Sequence, residues 1–489
     1  MYSTIRTLFL GFLFCCSFSA CNDILEPEIY NQIDAEQFPQ SEADVVSAFI
    51  PFYAQFNTDY GSTDITRGNV FDFSLSASFL GYTWATSTQT DEAFDLFFFP
   101  YSTYTLGPAT VLNSSGEAFY NRVSYVAKLT SLIDKIESSD LANKEALVAE
   151  ARGLRGWFQY VLFDLYGPVS VKLDPATLDD NDFLARPSEA DYVAGMESDM
   201  MAAIDGLPSR YNGTNDWGRL SQGPARMLLF KLYLHLKEWE EAAAIGEDLT
   251  EMGYALQDDY KTVFTQEQNS EVIFAVPGGP ATFNIWYPCI LPFDAKEVLG
   301  NDVTMGEKYK LNEMPWSFYD TYAPEDERLE TIAAEYVNNG DQVIGRGNGL
   351  SGAIPMKYTN YVENGFGFDF VLLRYADVLL SMAEVTNELE GPSATAVAYA
   401  KQVTDRAGTT IPSSATADRD AFRTFLLAER GRELYWEFGL RRQDLIRHGK
   451  LIENAQLRGV SAAAHQVLWP IPSDVIIEAG TVIEQNPGY

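Results

Sequence analysis

Residues Gly223–Tyr254 read GPARMLLFKLYLHLKEWEEAAAIGEDLTEMGY, and their spacing sets the fold class. Ala225, Leu228, Leu229, Leu232, Tyr233 and Leu236 fall at i, i+3, i+4, i+7, i+8 and i+11, which is one face of a helix. Pro224 suits a first helical turn, Lys237-Glu238-Trp239 reads as a tight turn, and Gly253 offers a stop. Between turn and stop, Ala242, Ala243, Ile245 and Leu249 give a second helix a face of its own. Two short antiparallel helices with Trp at the turn and Ala at the close contact read as a tetratricopeptide-like unit.

The design recurs. Leu372, Tyr375, Ala376, Leu379, Leu380 and Ala383 repeat the spacing, Gly391-Pro392 breaks the chain, and Ala394–Arg406 supplies a partner that ends at Gly408. Asn143–Tyr166 with Ser188–Leu207 forms a third pair, and Ser41–Phe56 with Glu117–Ile136 a fourth, interrupted by a long insertion. Such pairs cannot bury their apolar faces alone, so they stack. The expectation is a mainly α chain: a tetratricopeptide-like helix-pair scaffold with long irregular loop insertions near 59–116 and 277–324. No Pro/Gly/Ser-rich linker divides the body, which predicts a single domain over 21–489.

The N-terminus indicates where the protein works. Arg6 precedes an apolar run, Leu8–Phe18 (LFLGFLFCCSF), that is too short to span a bilayer. Ser19-Ala20-Cys21 resembles the lipobox of bacterial lipoproteins, in which cleavage leaves a cysteine that takes a diacylglycerol; Phe18 stands where that pattern usually has Leu. Residues 1–20 are therefore expected to be a lipoprotein signal peptide and Cys21 the lipid anchor, holding the protein to a membrane through acyl chains.

Composition narrows the chemistry. The formal net charge is −35, which makes nucleic acid and bare anionic lipid poor partners. Cys15 and Cys16 leave with the signal and Cys21 would be acylated, so Cys289 stands alone and no intramolecular disulfide or Cys-rich metal site forms. His235, His448 and His465 are far apart, and none has a partner at ligand spacing. No metal, cofactor or catalytic set is expected. Asp91, Glu92 and Asp95 could hold calcium, but a solvated acidic patch is the simpler reading.

Several blocks resemble the SusD/RagB family of outer-membrane nutrient-binding lipoproteins of Bacteroidetes. Glu429–Leu451 (ERGRELYWEFGLRRQDLIRHGKL) and Trp469–Tyr489 (WPIPSDVIIEAGTVIEQNPGY) carry it most strongly, with Leu373–Glu388 (LRYADVLLSMAEVTNE), Ala151–Val169 (ARGLRGWFQYVLFDLYGPV) and Cys21–Pro27 (CNDILEP) in support. Arg186–Pro208 and Gly218–Leu256 fit the family's intervening helices. Departures are Phe438 where Glu is frequent, Pro168-Val169-Ser170, and Lys128 in place of an Asn. Glu429, Glu433 and Glu437 lie at i, i+4 and i+8, with Arg430, Arg441, Asp444 and Arg447 around them. A glycosidase would place two carboxylates roughly 5–10 Å apart in a cleft. Acids on a helix more often pair with Arg, so these are expected to be structural. Pro470-Ile471-Pro472 and Gln485-Asn486-Pro487-Gly488 read as rigid turns that dock the tail.

The resemblance implies a non-enzymatic, cell-surface outer-membrane lipoprotein that binds glycans and delivers them to a SusC-like TonB-dependent transporter. A peptide-binding member of the family, a secreted glycoside hydrolase and a purely protein-binding scaffold are the alternatives. Aromatic rings stack on sugar C–H faces, so the candidate ligand contacts are the insertion aromatics Tyr82, Trp84, Tyr101, Tyr104, Trp286, Tyr287 and Trp316, with Tyr319, Asn113 and Asn284 as further possibilities. Each competes with a packing or interface role. Trp157, Tyr160, Tyr233, Tyr375 and Trp436 lie on helical faces and are expected to be core.

Overall fold

The computed structural model describes residues 38–56, 79–95, 99–109, 119–180, 182–278, 290–304, 308, 310, 312–359 and 368–489. The signal segment, Cys21, Asn113, Asn284, Trp286, Tyr287 and Cys289 lie outside these residues.

Helices carry the body. In chain order they include α1 (Glu42–Tyr53), α2 (Phe79–Ser87), α3 (Arg122–Glu137), α4 (Lys144–Tyr166), α5 (Glu189–Gly206), α6 (Gln222–Leu236), α7 (Trp239–Glu251), α8 (Tyr375–Glu390), α9 (Ala394–Arg406), α10 (Arg419–Glu433) and α11 (Leu440–Arg447). Their starts follow from side-chain capping: Ser41, Ser188, Ser393 and Asp418 each accept a hydrogen bond from the backbone N–H three residues on. Lys237, in the left-handed region at φ 62°, ends α6 and starts the turn into α7, as the Lys237-Glu238-Trp239 reading requires.

Packing runs in succession, α3 on α4, α4 on α5, α5 on α6, α6 on α7, α7 on α8, α8 on α9, with α10 also against α8. This is the expected helix-pair stack. Small residues set its closest approach: a Cβ at Gly246 of α7 would collide with Met382 Sδ of α8 and lie 3.1 Å from Phe230 of α6. Every residue of the central helix α4 from Leu154 to Tyr166 is buried, and Trp157 is enclosed between Phe56, Phe274 and Phe438. Truncating such a ring costs about 3–5 kcal/mol.

Short antiparallel strands fill the interruptions. β1 (Phe94–Asp95), β5 (Asn312–Pro315), β9 (Gly352–Pro355) and β6 (Ile332–Ala333) form one sheet in the order β1-β5-β9-β6. β4 (Asn301–Asp302), β3 (Ala295–Val298), β7 (Glu335–Asn338) and β8 (Val343–Gly345) form a second in that order, and β2 (Val272–Val276) pairs with β10 (Phe370–Arg374). Leu372, assigned by spacing to a helix, instead lies in β10; α8 begins only at Tyr375. Every residue of β10 is buried, and a short all-buried strand shows no period-2 alternation to separate it from a helix.

The acid run at 429–437 is structural, with one correction. Helix α10 stops at Glu433, and Trp436 (φ 57°), Phe438 (φ 35°) and Gly439 (φ 68°) carry the chain back on itself, so Glu437 is not a third helical rung. Its partners also differ from those nearest in sequence. Arg328 contacts Asp326 and Glu429 at 2.7 Å each and Glu433 at 3.1 Å; Arg374 contacts Glu271 at 2.8 Å, Glu433 at 2.6 Å and Glu437 at 2.7 Å. Arg406 bridges Glu271 and Glu433, and Lys357 pairs with Glu437. Burial raises the Glu433 carboxyl, but Arg406, Arg374 and Arg328 outweigh it and hold it well below the usual carboxylate range. Arg430 and Arg447 form a second buried set with Asp377, Glu384 and Asp444.

The tail docks as expected. Asn486 Nδ2 donates to the carbonyls of Tyr166 (3.0 Å) and Trp469 (2.7 Å), Arg186 donates to Asn486 Oδ1 (2.9 Å), and the Gln485 amide clips both backbone groups of Ile471 at 2.7 Å.

Candidate functional site

The insertion aromatics separate into two groups. Tyr82, Trp84, Tyr101 and Tyr104 are enclosed, with 0–4% of their surface exposed. The Tyr82 hydroxyl donates to Asp164 at 2.8 Å and accepts from Gln443 at 3.0 Å, and its ring packs on Phe438. Trp84 meets Trp436 edge to face at 5.5 Å. With the Asn312 amide oxygen facing the indole, Trp84 Nε1 donates to it at 2.6 Å. Tyr101 stacks on Trp469 at 5.1 Å, and the Tyr104 hydroxyl donates to the Gln89 carbonyl at 2.8 Å. Burial pushes the Tyr104 phenol up to about 12. The expectation that these four rings take ligand is therefore corrected: their faces are already covered by protein. The Gly/Thr/Ser-rich stretch around Trp84, read as a loop, is α2 and the turns after it, and Thr86, Thr88 and Thr90 bond carbonyls three or four residues back.

Trp316 and Tyr319 behave differently. They occupy a single helical turn, Trp316–Tyr319, which starts directly after β5. Pro315 stands at the turn's N-cap; within the turn Phe318 is buried, while Trp316 and Tyr319 pack on the core and leave part of each ring exposed. Both rings are partly buried and meet edge to face at 5.5 Å. Arg346, just beyond β8, lays its guanidinium over the Trp316 ring 5.1 Å from the centroid. It also bonds Asp320 through both carboxylate oxygens, at 2.7 and 3.0 Å. The Arg346 and Asp320 side chains are 55% and 49% exposed, so the pair reaches water beside the rings. Hydrogen bonding to Arg346 holds the Asp320 carboxyl below its usual range, so it is an anion at neutral pH. β5 thus connects the two groups: Asn312 at its start is braced by buried Trp84, and Trp316 follows its end. Sequence reading missed Arg346 and Asp320. Arg346 lies 30 positions from Trp316, and only the β7–β8 hairpin brings it over the ring.

A second concave region lies beside the start of β2 and the segment before β10. It is a small cleft, with room for about one water molecule, lined by Phe264, Gln266, Glu267, Gln268, Phe368 and Asp369. Trp217, also missed from the sequence, donates its indole N–H to Asp369 at 2.7 Å, and the Gly278 backbone N–H donates to the same carboxylate at 3.0 Å. Burial pushes the Asp369 carboxyl up, and burial with Asp369 nearby pushes Glu267 up.

The loop acids considered for calcium are otherwise engaged. Asp91 is bonded by Arg441 at 2.8 Å through each oxygen. Glu92 is buried, and among the described residues its carboxyl oxygens make no hydrogen bond; burial pushes it up to about 8. Neither is part of a solvated patch. The side chain of Asp95 lies outside the described residues. Among the described residues no group of three or more His, Cys, Asp or Glu could hold a metal ion.

The C-terminal part of the chain carries a family match. The profile of the SusD family matches residues 354–489, which contain α8 to α11, part of the first buried ion cluster, the second cluster and the C-terminal tail. That region is similar to the SusD family, and the likeness extends over most of the chain in individual relatives. A SusD-like protein of Formosa agariphila is 26% identical, with 89% of this chain and 88% of that protein covered. Among solved structures, a laminarin-binding SusD-like protein superposes with TM-score 0.74 at 20% identity, over 92% of this chain and 100% of the other. Surface glycan-binding protein A of Bacteroides thetaiotaomicron, solved with laminarihexaose, superposes with TM-score 0.71 at 16% identity, over 91% of this chain and 99% of the other. These likenesses establish the SusD fold for the whole described chain.

Proposed function

We propose that this SusD-like chain is a glycan-binding lipoprotein. It would be anchored through Cys21 to the outer membrane, face the cell exterior, and pass oligosaccharides to a SusC-like TonB-dependent transporter. The observation that carries the binding role is the Trp316–Tyr319 pair at the protein surface, flanked by Asp320 and Arg346. Sugar rings need an aromatic surface for their C–H faces and both donors and acceptors for their hydroxyls, and these four side chains offer all three. Trp286 and Tyr287, outside the described residues, remain candidate contacts from the sequence alone. Two proteins of the same fold, one laminarin-binding and one solved with laminarihexaose, support a glycan over a peptide as cargo. The absence of a spanning helix among the described residues is compatible with attachment by acyl chains alone.

Affinity electrophoresis through gels containing neutral polysaccharides tests this. Native protein should be retarded by at least one, and Trp316→Ala should migrate as in a sugar-free gel while keeping its thermal midpoint within a few degrees. Trp286→Ala run alongside separates the two aromatic regions. Retardation by no glycan would refute the reading. Retention by immobilised peptides alone would favour a peptide-binding role, and release of reducing ends, abolished in Glu267→Gln, would favour a hydrolase.

A further inference from the structure

The charge arrangement at Trp316 bears on which saccharides the patch admits. Arg346 is the cation nearest the aromatic pair, and a free guanidinium there would grip a carboxylate or sulfate with its two parallel N–H groups. That face is already used: Nη1 and Nη2 point at Asp320 Oδ1 and Oδ2. The guanidinium keeps three of its five N–H groups, and Asp320 keeps spare lone pairs. The pair therefore presents donors and an acceptor side by side with no net charge. A sugar hydroxyl, which both donates and accepts, matches it. An anionic substituent only accepts, and it would lie against the Asp320 charge.

The surroundings reinforce this. On the neighbouring β7–β8 hairpin Glu335 and Asp341 are exposed, and the nearby Lys296 is spent on Asp341. The whole chain carries −35. We propose that Asp320 is a specificity-determining residue: by occupying Arg346 it makes the Trp316 patch select uncharged saccharides and reject acidic ones. This rests on the glycan-binding reading above. An exposed ion pair holds together only weakly, so an anion can displace Asp320. The rejection comes instead from the carboxylate that stays close by. One unit charge about 4 Å away in water is worth about fivefold in affinity, and more where the aromatic rings exclude solvent.

The test uses gels containing neutral polysaccharides (laminarin, starch, mannan) and acidic ones (alginate, polygalacturonate), at low salt and at about 0.5 M salt, where charge effects beyond roughly 4 Å are screened. Native protein should be retarded by a neutral glycan and by neither acidic one. Asp320→Asn keeps the shape and one acceptor but frees Arg346, and should gain about fivefold or more in retention on an acidic gel at low salt. High salt should abolish that gain, and so should Arg346→Ala in the same chain. Unchanged thermal midpoints would show that these exposed substitutions leave the fold intact. Native retention on alginate or polygalacturonate equal to that on the neutral glycan, or no gain in Asp320→Asn, overturns the proposal and leaves glycan binding standing. Retention of neither protein on any gel overturns glycan binding itself.

Discussion

Replacing Glu433 by Gln removes one negative charge from a site enclosed by Arg328, Arg374 and Arg406, with no exposed surface on the glutamate or on two of the three arginines. The Gln amide oxygen still accepts one N–H, but its NH2 group turns donors toward donors. Arg374 and Arg328 keep Glu271, Glu437, Asp326 and Glu429, so none of the arginines is left without a carboxylate. Removing one partner of a buried pair costs about 3–5 kcal/mol. Against a total stability of about 5–15 kcal/mol, that is a large fraction. The pH dependence carries a sign of its own. The folded carboxyl is held low, so its stabilising effect is fully present above the unfolded value of about 4.3 and is lost as pH falls through that value toward the folded one. Urea unfolding followed by circular dichroism, with the refolding branch checked, should therefore show the Glu433→Gln deficit widest at pH 7 and shrinking below about pH 4. Lys401→Ala, which breaks a fully solvated i,i+4 pair with Asp405, is the control and should cost under about 1 kcal/mol. If Glu433→Gln cost no more than that control, or its deficit were the same at pH 3 as at pH 7, the buried cluster would not be holding the fold as argued.

Glu92 gives the opposite pH response. Its folded value of about 8 lies above an unfolded value near 4.5, so the folded state keeps a proton that the unfolded chain releases, and stability falls as pH rises between those values. Glu92→Gln should gain on the native protein across that window, by a few kcal/mol at pH 8, and urea midpoints that move in parallel with pH would exclude it. Gly439→Ala forces a side chain onto a backbone at φ 68° and sets its Cβ 2.8 Å from Thr86 Oγ1 and 3.1 Å from Tyr82; a loss of more than about 1 kcal/mol is expected by the same titration. Trp84→Ala should lower stability by about 3–5 kcal/mol, because the ring is core, and a variant with an unchanged urea midpoint would contradict that placement.

Regular helices were the readable part of this chain. The 3.6 period with its Pro and Gly breaks locates α4, α5, α6, α7 and α9 nearly to the residue, because amphipathicity is a local property. Three things were not local. β10 is so thoroughly buried that Leu372 fits a helical face as well as a strand. The arginines that neutralise Glu433 come from positions 328, 374 and 406, brought together only by the finished fold. The aromatics of the first insertion look like loop residues by composition, yet Trp436, Phe438 and Trp469, more than 300 positions later, cover them. At the candidate site the aromatic Trp316 was legible, whereas its polar companion Arg346 depends on a hairpin register that spacing does not encode.

The clasp made by Asn486 also fixes an order of assembly. It joins positions 320 residues apart, so it closes a loop whose entropy cost is about 5 kcal/mol beyond a constant if the intervening chain is still disordered. The clasp becomes affordable only after the helices between have formed and already brought the two positions close. It should accordingly be the last region to gain protection in pulse-labelling hydrogen exchange and the first to open to a carboxypeptidase. This late closure leaves the end of α4 unsealed until the last residues of the chain have docked.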